Sequence, residues 1–262
     1  MVEPDYSITE LKISDKGLKK LPDDIDKYTN LKILYCSYNE ITSLNNLPPT
    51  LKILSCHNNK ITSLDNLPNS QLAGHEDKPN SQLAGYEDKP NSRLAGHEDK
   101  PSGLLSKLEV LNCNCNQITS LDNLPPNLEV LHCSYNQITS LDNLPPTLKK
   151  LVCRYNKLTS LDNLPSNLEV LYCFNNQITS LDNLPPNLQI LHCWKNYITS
   201  LDNLPQKLEV LNCSCNQLTS LDNLPPKLEV LYCFRNPLKY NYPNTLENIR
   251  NYNTARMLSS NT

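Results

Sequence analysis

The chain has 262 residues, of which 38% are hydrophobic, and its formal net charge is -3 at pH 7. This balance provides no excess of positive charge for nucleic acid, which is therefore disfavoured as a partner, and no stretch reaches the roughly 18 apolar residues that a membrane span needs. Residues 1–6 show neither a basic nor an apolar stretch typical of a secretory signal, so we expect an intracellular, cytoplasmic protein without a membrane partner.

Residues 1–30 precede the regular part of the chain. Here Leu11, Ile13, Leu18 and Leu21 follow a longer version of the apolar spacing that recurs later. The first unit of a repeat array needs a cover over its exposed apolar side. Residues 1–30 are therefore predicted to form an N-terminal cap that includes an irregular first repeat.

A unit of 20 residues recurs from residue 31 onward. Leucine occupies positions 1, 4, 14 and 17 of the unit, cysteine position 6, asparagine position 9, and isoleucine or leucine position 11. The nine copies begin at Leu31, Leu51, Leu108, Leu128, Leu148, Leu168, Leu188, Leu208 and Leu228. Because one such unit cannot bury its apolar side alone, the repeat predicts a stacked solenoid.

Each unit is predicted to contain one strand and no helix. The constant apolar positions 4 and 6 alternate with the variable positions 3 and 5, as in residues 130–133, and this two-residue rhythm indicates a short strand of a long parallel sheet. Proline follows at position 18 and often also at position 19. It fixes φ and lacks an amide donor, which favours an extended, polyproline-like return segment.

Residues 69–107 interrupt the repeat between two units. They contain three nearly identical copies of an 11-residue sequence that begin at Asn69, Asn80 and Asn91, followed by a re-entry into the main repeat. Each copy has one leucine and one proline, so it cannot bury enough apolar surface to become ordered. We expect a flexible insertion that divides the repeats into residues 31–68 and 108–247.

The C-terminal end is predicted to form a helical cap. Residues 244–247 read as a capping box that opens a helix through about Leu258, with Leu246 and Ile249 facing the last repeat. Residues 248–262 are therefore assigned to the C-terminal cap.

The frame LxxLxCxxNxIxxLxxLPxx, carried by residues 31–68 and 108–247, resembles the leucine-rich repeat. In its 20-residue length and its Leu-Pro pair, the unit is similar to the short bacterial class found in secreted effectors. Its amino-acid sequence is similar to that of leucine-rich-repeat proteins of giant DNA viruses of amoebae. The resemblance implies an α/β-type right-handed solenoid with a parallel sheet on its concave side and an extended convex side. It also implies that the concave face binds other proteins.

Two columns of the repeat could hold metal ions, but packing explains both more simply. Cysteine at position 6 lies on the inward side of the strand, where a reduced thiol packs as a small apolar group. Two further thiols, Cys115 and Cys215, form Cys-x-Cys pairs without a second ligand pair at zinc-finger spacing. Aspartates at position 15 could form a calcium ladder, or could bond to nearby turn amides. We predict no metal site.

No arrangement of residues indicates catalysis or a cofactor. His132 and His192 share position 5 but lie three units apart, and the chain has no glycine-rich phosphate loop. His75 and His97 lie in the insertion and are expected to be solvated. We predict a non-enzymatic protein that needs no cofactor.

The outward positions 5, 7, 8 and 10 vary, and they hold most of the aromatic residues of the repeats. Large aromatic side chains and arginine dominate binding energy at protein interfaces, although tyrosine also simply favours strands. The candidate partner-binding residues are Tyr135, Arg154, Tyr155, Tyr172, Phe174, Trp194, Lys195, Tyr232, Phe234 and Arg235.

The sequence therefore predicts a module that binds a partner protein on its concave face. If the source is viral, a host protein is the expected partner and the host cytoplasm the expected location. Two alternatives stay open: recognition of substrates for a separate ubiquitin ligase, and a structural role in a particle or assembly. The sequence leaves the oligomeric state open.

Overall fold

The computed structural model describes residues 4–67, 107–239, 242 and 245–260. Within them the chain forms a parallel sheet of ten three-residue strands, with each strand next to its neighbour in sequence. The strands are β1 (Glu10–Lys12), β2 (Ile33–Tyr35), β3 (Ile53–Ser55), β4 (Val110–Asn112), β5 (Val130–His132), β6 (Lys150–Val152), β7 (Val170–Tyr172), β8 (Ile190–His192), β9 (Val210–Asn212) and β10 (Val230–Tyr232). A 3-10 helix (Ile25–Lys27) and one α-helix, α1 (Leu246–Ser260), complete the described elements.

The strands pair in strict register, so residues at the same position of the repeat form straight columns. Leu131 of β5, for example, lies opposite Leu111 of β4 and Leu151 of β6. The pairing also runs directly from β3 to β4, where Leu54 lies opposite Leu111. The predicted flexible insertion falls almost wholly on residues 68–106, which lie outside the described residues, but the repeat resumes after it without a change of register.

The repeated apolar residues form one continuous core. The leucines at positions 1 and 4 and the cysteines at position 6 are fully or almost fully buried in eight successive units, from Leu31 to Cys213. The leucines at position 17 are less completely buried: Leu144 and Leu164, for example, are only partly buried against this core. The predicted inward positions are thus confirmed. The sequence pattern gives the leucine-rich-repeat fold, a solenoid of about nine turns closed by one C-terminal helix.

The return side of each unit contains no helix among the described repeats, as the prolines predict. It is closed by a turn, in which the N–H of the next unit's first leucine donates to the carbonyl of the proline at position 18. The Leu128 N–H donates in this way to the Pro125 carbonyl at 3.2 Å. A return of this kind is short and leaves the columns aligned.

Asparagine at position 9 connects each unit to the one before it. The Asn136 Nδ2 group donates to the carbonyls of Cys113 and Cys133, both at 3.1 Å. The Asn136 Oδ1 atom accepts from the Ile118 N–H at 2.9 Å. All these groups are buried, so each would be costly to leave without a partner. Equivalent bonds recur at Asn59, Asn116, Asn156, Asn176, Asn196, Asn216 and Asn236.

The N-terminal end is covered by residues that precede β2. Leu21, Ile25 and Tyr28 are buried against the first units. The ring of Tyr6 packs edge-on against that of Tyr28, with centroids 5.0 Å apart. The irregular first unit supplies β1, which pairs in parallel with β2. The division of residues 1–30 into a cap and a first repeat stays a prediction.

Helix α1 covers the other end, and its start differs by one residue from the prediction. The Asn248 N–H donates to the Thr245 Oγ1 atom at 3.2 Å, so Thr245 is the N-cap. The proposed cap residue Asn244 lies outside the described residues. Thr245 precedes the first helical residue, and only from this position can a hydroxyl reach the third helical N–H.

Side chains of α1 bond to the return side of the last units. Ile249 is buried, as predicted. The Arg250 guanidinium donates to the carbonyls of Pro225 and Leu228, and the Asn253 amide donates to the Leu221 carbonyl at 2.8 Å. At Leu228 the helix replaces a side chain of a further unit, since the equivalent Leu128 carbonyl accepts from the Thr147 hydroxyl of the next unit. Among the described residues, no helix is both long and apolar enough to cross a membrane.

We predict that Asn136→Ala lowers the free energy of unfolding by about 2–4 kcal/mol. The buried Ile118 N–H loses its acceptor, and the buried carbonyls of Cys113 and Cys133 each lose one of their two asparagine donors. Denaturant unfolding followed by circular dichroism measures this change. Gln137→Ala is the matched control, since Gln137 is the adjacent exposed amide. Equal effects of the two substitutions would contradict the structural role of the asparagine column.

Candidate functional site

The site predicted from the sequence lies on the outer side of the sheet, which is the face that points away from the core, and just beyond the C-terminal ends of the strands. Positions 3 and 5 point away from the core and are mostly half-buried, whereas position 4 is buried. Positions 7 and 8 follow each strand. The variable columns of the repeat are therefore the ones that face away from the leucine and cysteine core.

Position 8 has a left-handed backbone conformation in all nine regular units. Tyr135, Tyr155 and Lys195 have φ values of 53°, 54° and 59°. This region costs a residue with a side chain on the order of 1–3 kcal/mol unless its surroundings hold it. Here the Tyr135 N–H donates to the Arg154 carbonyl of the next unit at 3.0 Å, and the same bond recurs along the column. The position 8 side chains are exposed in six of the nine units and half-buried at Cys115, Asn175 and Cys215.

Four aromatic residues on successive units form a continuous row, which we call the aromatic strip: Tyr135, Tyr155, Phe174 and Trp194. The rings of Tyr135 and Tyr155 stack with centroids 4.2 Å apart and an interplanar angle of 11°. The rings of Phe174 and Trp194 stack at 4.4 Å and 16°. The Tyr155 ring meets the Phe174 ring edge-on at 6.0 Å, which joins the two pairs. Such pairs add about 0.5–1.5 kcal/mol each to burial, so the strip is preorganised.

The Arg154 side chain is inserted among these rings. Its guanidinium carbon lies 5.6 Å from the centroid of Tyr135 and 5.3 Å from that of Phe174, within the range of cation–π attraction. The Arg154 Nε atom is buried and has no hydrogen-bond partner in the protein. The arginine thus holds the strip together and keeps a positive charge beside it.

One predicted contact residue is placed differently from the expectation. Phe174 was expected to be exposed, but only 7% of it is accessible. Arg154, Tyr155 and Trp194 pack around it and cover it. Phe174 is therefore the base of the aromatic strip, whereas Tyr135 and Tyr155 remain 43% and 36% exposed.

The other predicted residues fall into two further groups. Tyr172 is half-buried, and its ring stacks on the ring of His192 with centroids 4.6 Å apart. Both residues hold position 5, on adjacent units. Tyr232 and Phe234 pack edge-on at 6.0 Å on the last unit, where both are exposed. The unit that contains Asn212, Ser214 and Cys215 separates this end from the aromatic strip. The ten candidates thus do not form one continuous surface.

A shallow groove beside the aromatic strip was not predicted from the sequence. It encloses about 570 Å³ and is lined by side chains that include Tyr155, Asn175, Lys195, Tyr197 and Cys215. The groove exists because Asn175 is small and lies between larger neighbours in the position 8 column. The Asn175 Nδ2 group is buried and has no hydrogen-bond partner. A size comparison along position 8 could have indicated this site.

The two histidines of position 5 are poor candidates for acid–base chemistry. Burial lowers the pKa of His132, and the nearby positive charges of Lys150 and Arg154 lower it further. Burial also lowers the pKa of His192, whose ring stacks on Tyr172. The absence of an enzymatic activity stays a prediction.

The cysteine column is a packed ladder of reduced thiols. Eight position 6 cysteines are fully buried, and the eleven cysteines of the chain are all free thiols. Burial raises the pKa of Cys153 to about 12, and the pKa of Cys173 is raised well above its usual value. No cluster of three or more metal-ligating side chains occurs within the described part of the chain.

The aspartates at position 15 bond to side chains on the return side. The Ser180 hydroxyl donates to the Asp182 Oδ2 atom at 2.7 Å, and the Asn203 Nδ2 group of the next unit donates to the Asp182 Oδ1 atom at 3.3 Å. The donors are thus a serine hydroxyl and a side-chain amide of the next unit, where turn amides were expected. The same inter-unit bond recurs in the pairs Asn123–Asp65, Asn143–Asp122, Asn163–Asp142, Asn183–Asp162 and Asn223–Asp202.

Comparison with known proteins identifies the repeat. Residues 126–226 match, in four overlapping segments, the family described as "Leucine Rich repeats (2 copies)". No curated protein matches the chain. Its structure is similar to that of YopM from Yersinia enterocolitica, with 30% sequence identity and a TM-score of 0.64 over 92% of this chain and 49% of that one.

Two further solved structures are similar. The functional domain of InlJ from Listeria monocytogenes, which includes a cysteine ladder, has 31% identity and a TM-score of 0.68 over 93% of this chain and 47% of that one. YopM of Yersinia pestis, a leucine-rich effector, has 28% identity and a TM-score of 0.67, over 89% and 56%. This chain spans about half the length of these structures.

We predict that at most three thiols of the native protein react rapidly with a chromogenic disulfide reagent. Cys115, Cys215 and Cys233 are only partly buried, whereas the other eight are shielded and resist ionisation. The count is taken before and after denaturation. The Cys115→Ser, Cys215→Ser double variant should lose two of the rapidly reacting thiols. More than three rapid thiols in the native protein would contradict the buried ladder.

We predict that the aspartate column stabilises the fold above about pH 4 and loses this effect as the pH falls. Hydrogen bonds from serine, and then from asparagine, lower the pKa of Asp122, Asp142, Asp182 and Asp202 below the ordinary value of 3.8. A pKa that is lower in the folded state favours folding wherever the carboxylate is ionised. Melting temperatures measured from about pH 5 to about pH 3 test this.

Replacing these four aspartates by asparagine should flatten the decrease of the melting temperature over that range. The control removes four surface carboxylates outside this column, by the substitutions Glu169→Gln, Glu209→Gln, Glu229→Gln and Glu247→Gln. A control as flat as the aspartate variant would assign the effect to net charge, and the prediction would be wrong.

Proposed function

We propose that this chain, which has the leucine-rich-repeat fold, binds a partner protein through the outer side of its sheet, with the aromatic strip at the centre. The observation that carries the proposal is the strip itself. Tyr135 and Tyr155 are partly exposed and stacked on each other, and the Tyr155 ring meets edge-on the buried Phe174 ring, on which Trp194 stacks. Rigid aromatic side chains lose little entropy when a partner covers them, and they are frequent hot spots of interfaces.

The division between constant and variable columns supports the same function. The constant leucine, cysteine and asparagine columns are used by the fold, as their burial and hydrogen bonds show. The aromatic and basic residues occupy columns that the fold leaves free to vary. Leucine-rich-repeat proteins in general mediate protein–protein interaction, and the similarity to a leucine-rich effector of Yersinia pestis agrees with this class of function.

Three finer interpretations stay predictions from the sequence. They are a viral origin with a host protein as the partner, recognition of substrates for a separate ubiquitin ligase, and a structural role in a particle or assembly. An intracellular location likewise stays a prediction.

The proposal is tested by comparing the proteins captured by three baits from cells of the source or its host. The baits are the wild-type chain, the double variant Tyr155→Ala, Trp194→Ala, and the control Asn187→Ala, Lys207→Ala, which alters a half-buried and an exposed residue before the strands. A partner of the aromatic strip should be captured by the wild type and the control. Its recovery should fall about tenfold or more with the double variant, the ratio for a loss of about 1.4 kcal/mol.

The double variant should retain its circular dichroism spectrum and cooperative melting, since the core columns are unchanged. Each kcal/mol of lost ring stacking should lower the melting temperature by about 2–4 °C in a protein of this size. If a folded double variant captures the same proteins in the same amounts, the aromatic strip is not the binding surface.

A further inference from the structure

We infer that the partner of the aromatic strip presents an acidic, extended peptide segment to it. This inference rests on the proposed function and adds the chemistry of the partner. Its first support is the distribution of charge. In the seven units from residue 108 onward, positions 5 to 10 contain four basic residues and not one aspartate or glutamate. The basic residues are Arg154, Lys157, Lys195 and Arg235.

The opposite ends of the strands carry charges of both signs. Position 2 holds Glu109, Glu129, Glu169, Glu209 and Glu229, whereas lysines occur at positions 2, 3 and 20. Positions 2 and 8 are six residues apart, which corresponds to about 20 Å of extended chain. A local excess of positive charge therefore exists beside the aromatic strip, although the whole chain is slightly acidic.

The basic residues beside the strip form no salt bridge in the part of the chain that the structure describes. Elsewhere, exposed lysines do pair with glutamate on a neighbouring unit: Lys52 with Glu109 at 2.6 Å, and Lys149 with Glu129 at 3.1 Å. Arg154, Lys157 and Lys195 lie on units of the strip and Arg235 lies on the last unit, and none of these four described cations is paired with a carboxylate. Acidic side chains of a partner would complement this charge.

Two buried donors in the same region also have no acceptor. They are the Arg154 Nε atom and the Asn175 Nδ2 group. Asn175 lines the groove together with Lys195, but the Asn175 Nδ2 group is buried, so the groove offers a ligand the exposed Lys195 ammonium group. A carboxylate supplies an acceptor and negative charge to this ammonium group, and carboxylates are the acceptors that form the stronger, charge-assisted hydrogen bonds.

The stacking of the rings favours a peptide over single-stranded nucleic acid. Proteins that bind single strands offer open aromatic faces on which bases stack. Here Tyr135 and Tyr155 cover each other's faces at 4.2 Å, and Phe174 and Trp194 do the same at 4.4 Å. One face of each ring is therefore covered by its neighbour, and the exposed Tyr135 and Tyr155 also offer hydroxyl groups, which suit the side chains and backbone of a peptide.

The spacing of the cations sets the length of the segment. Arg154 and Arg235 lie four units apart, which is about 19 Å at about 4.8 Å per unit. An extended peptide spans that distance with about six residues at roughly 3.3 Å each. The segment therefore crosses the strands along the sheet and places acidic residues near Arg154, Lys195 and Arg235.

The inference is tested by fluorescence anisotropy with labelled octaglutamate, octaglutamine and oligothymidylate on the full chain. We expect octaglutamate to bind about tenfold or more tightly than octaglutamine. Its binding should weaken with added salt, because salt screens exposed charges. Lys195→Glu and Arg235→Glu should each lower the affinity for octaglutamate about fivefold or more. The control Lys207→Glu makes the same charge change before the strands, and it should lower the affinity for octaglutamate by less than about twofold.

Four results would overturn the inference: no detectable binding of octaglutamate, equal binding of the two peptides, equal loss in Lys207→Glu and Lys195→Glu, or tighter binding of oligothymidylate. Competition against a captured partner separates the two proposals. If that partner depends on Trp194 but octaglutamate neither binds nor displaces it, only the acidic chemistry is wrong. If octaglutamate binds as expected but no protein depends on Trp194, the proposed function is wrong.

Discussion

The structure depends on one constraint, namely that no unit can satisfy its own backbone. The strand N–H groups of one unit donate to the carbonyls of an adjacent unit, and the carbonyls left over in the interior are bound by the amide of asparagine at position 9. That amide bridges two units at once. Because buried polar groups must be paired, the register of every strand is fixed by its neighbours. The ends require separate solutions, which are the residues before β2 and the Arg250 and Asn253 side chains of α1.

The same constraint explains why the surface is arranged in columns. Strict register places equivalent positions one strand spacing apart, about 4.8 Å, which is close to the distance at which aromatic rings stack. Tyr135 and Tyr155 therefore stack without any special backbone feature beyond the one that all units share. The left-handed conformation at position 8 is part of that shared feature. An interaction surface can thus change by substitution alone, while the backbone that presents it stays the same.

The sequence was sufficient for every property that the repeat determines by periodicity. The strands, the buried cysteines and the asparagine bridges all follow from residues that recur every 20 positions. Properties that depend on neighbours across units could not be read in this way. Phe174 occupies an outward position, but it is buried because Arg154 and Trp194 happen to be large enough to cover it. The groove at Asn175 has the opposite origin, a small residue between large ones.

The direct pairing of β3 with β4 has a consequence for how such a chain can diverge. Leu54 and Leu111 are aligned as closely as any other pair, although they are far apart in sequence. The entropy of closing a loop grows only with the logarithm of its length, by about 0.6 kcal/mol for each doubling. The joint between Leu67 and Lys107 is therefore a place where duplication can lengthen the gene at little thermodynamic cost. New sequence can accumulate there while selection continues to act on the aromatic surface undisturbed.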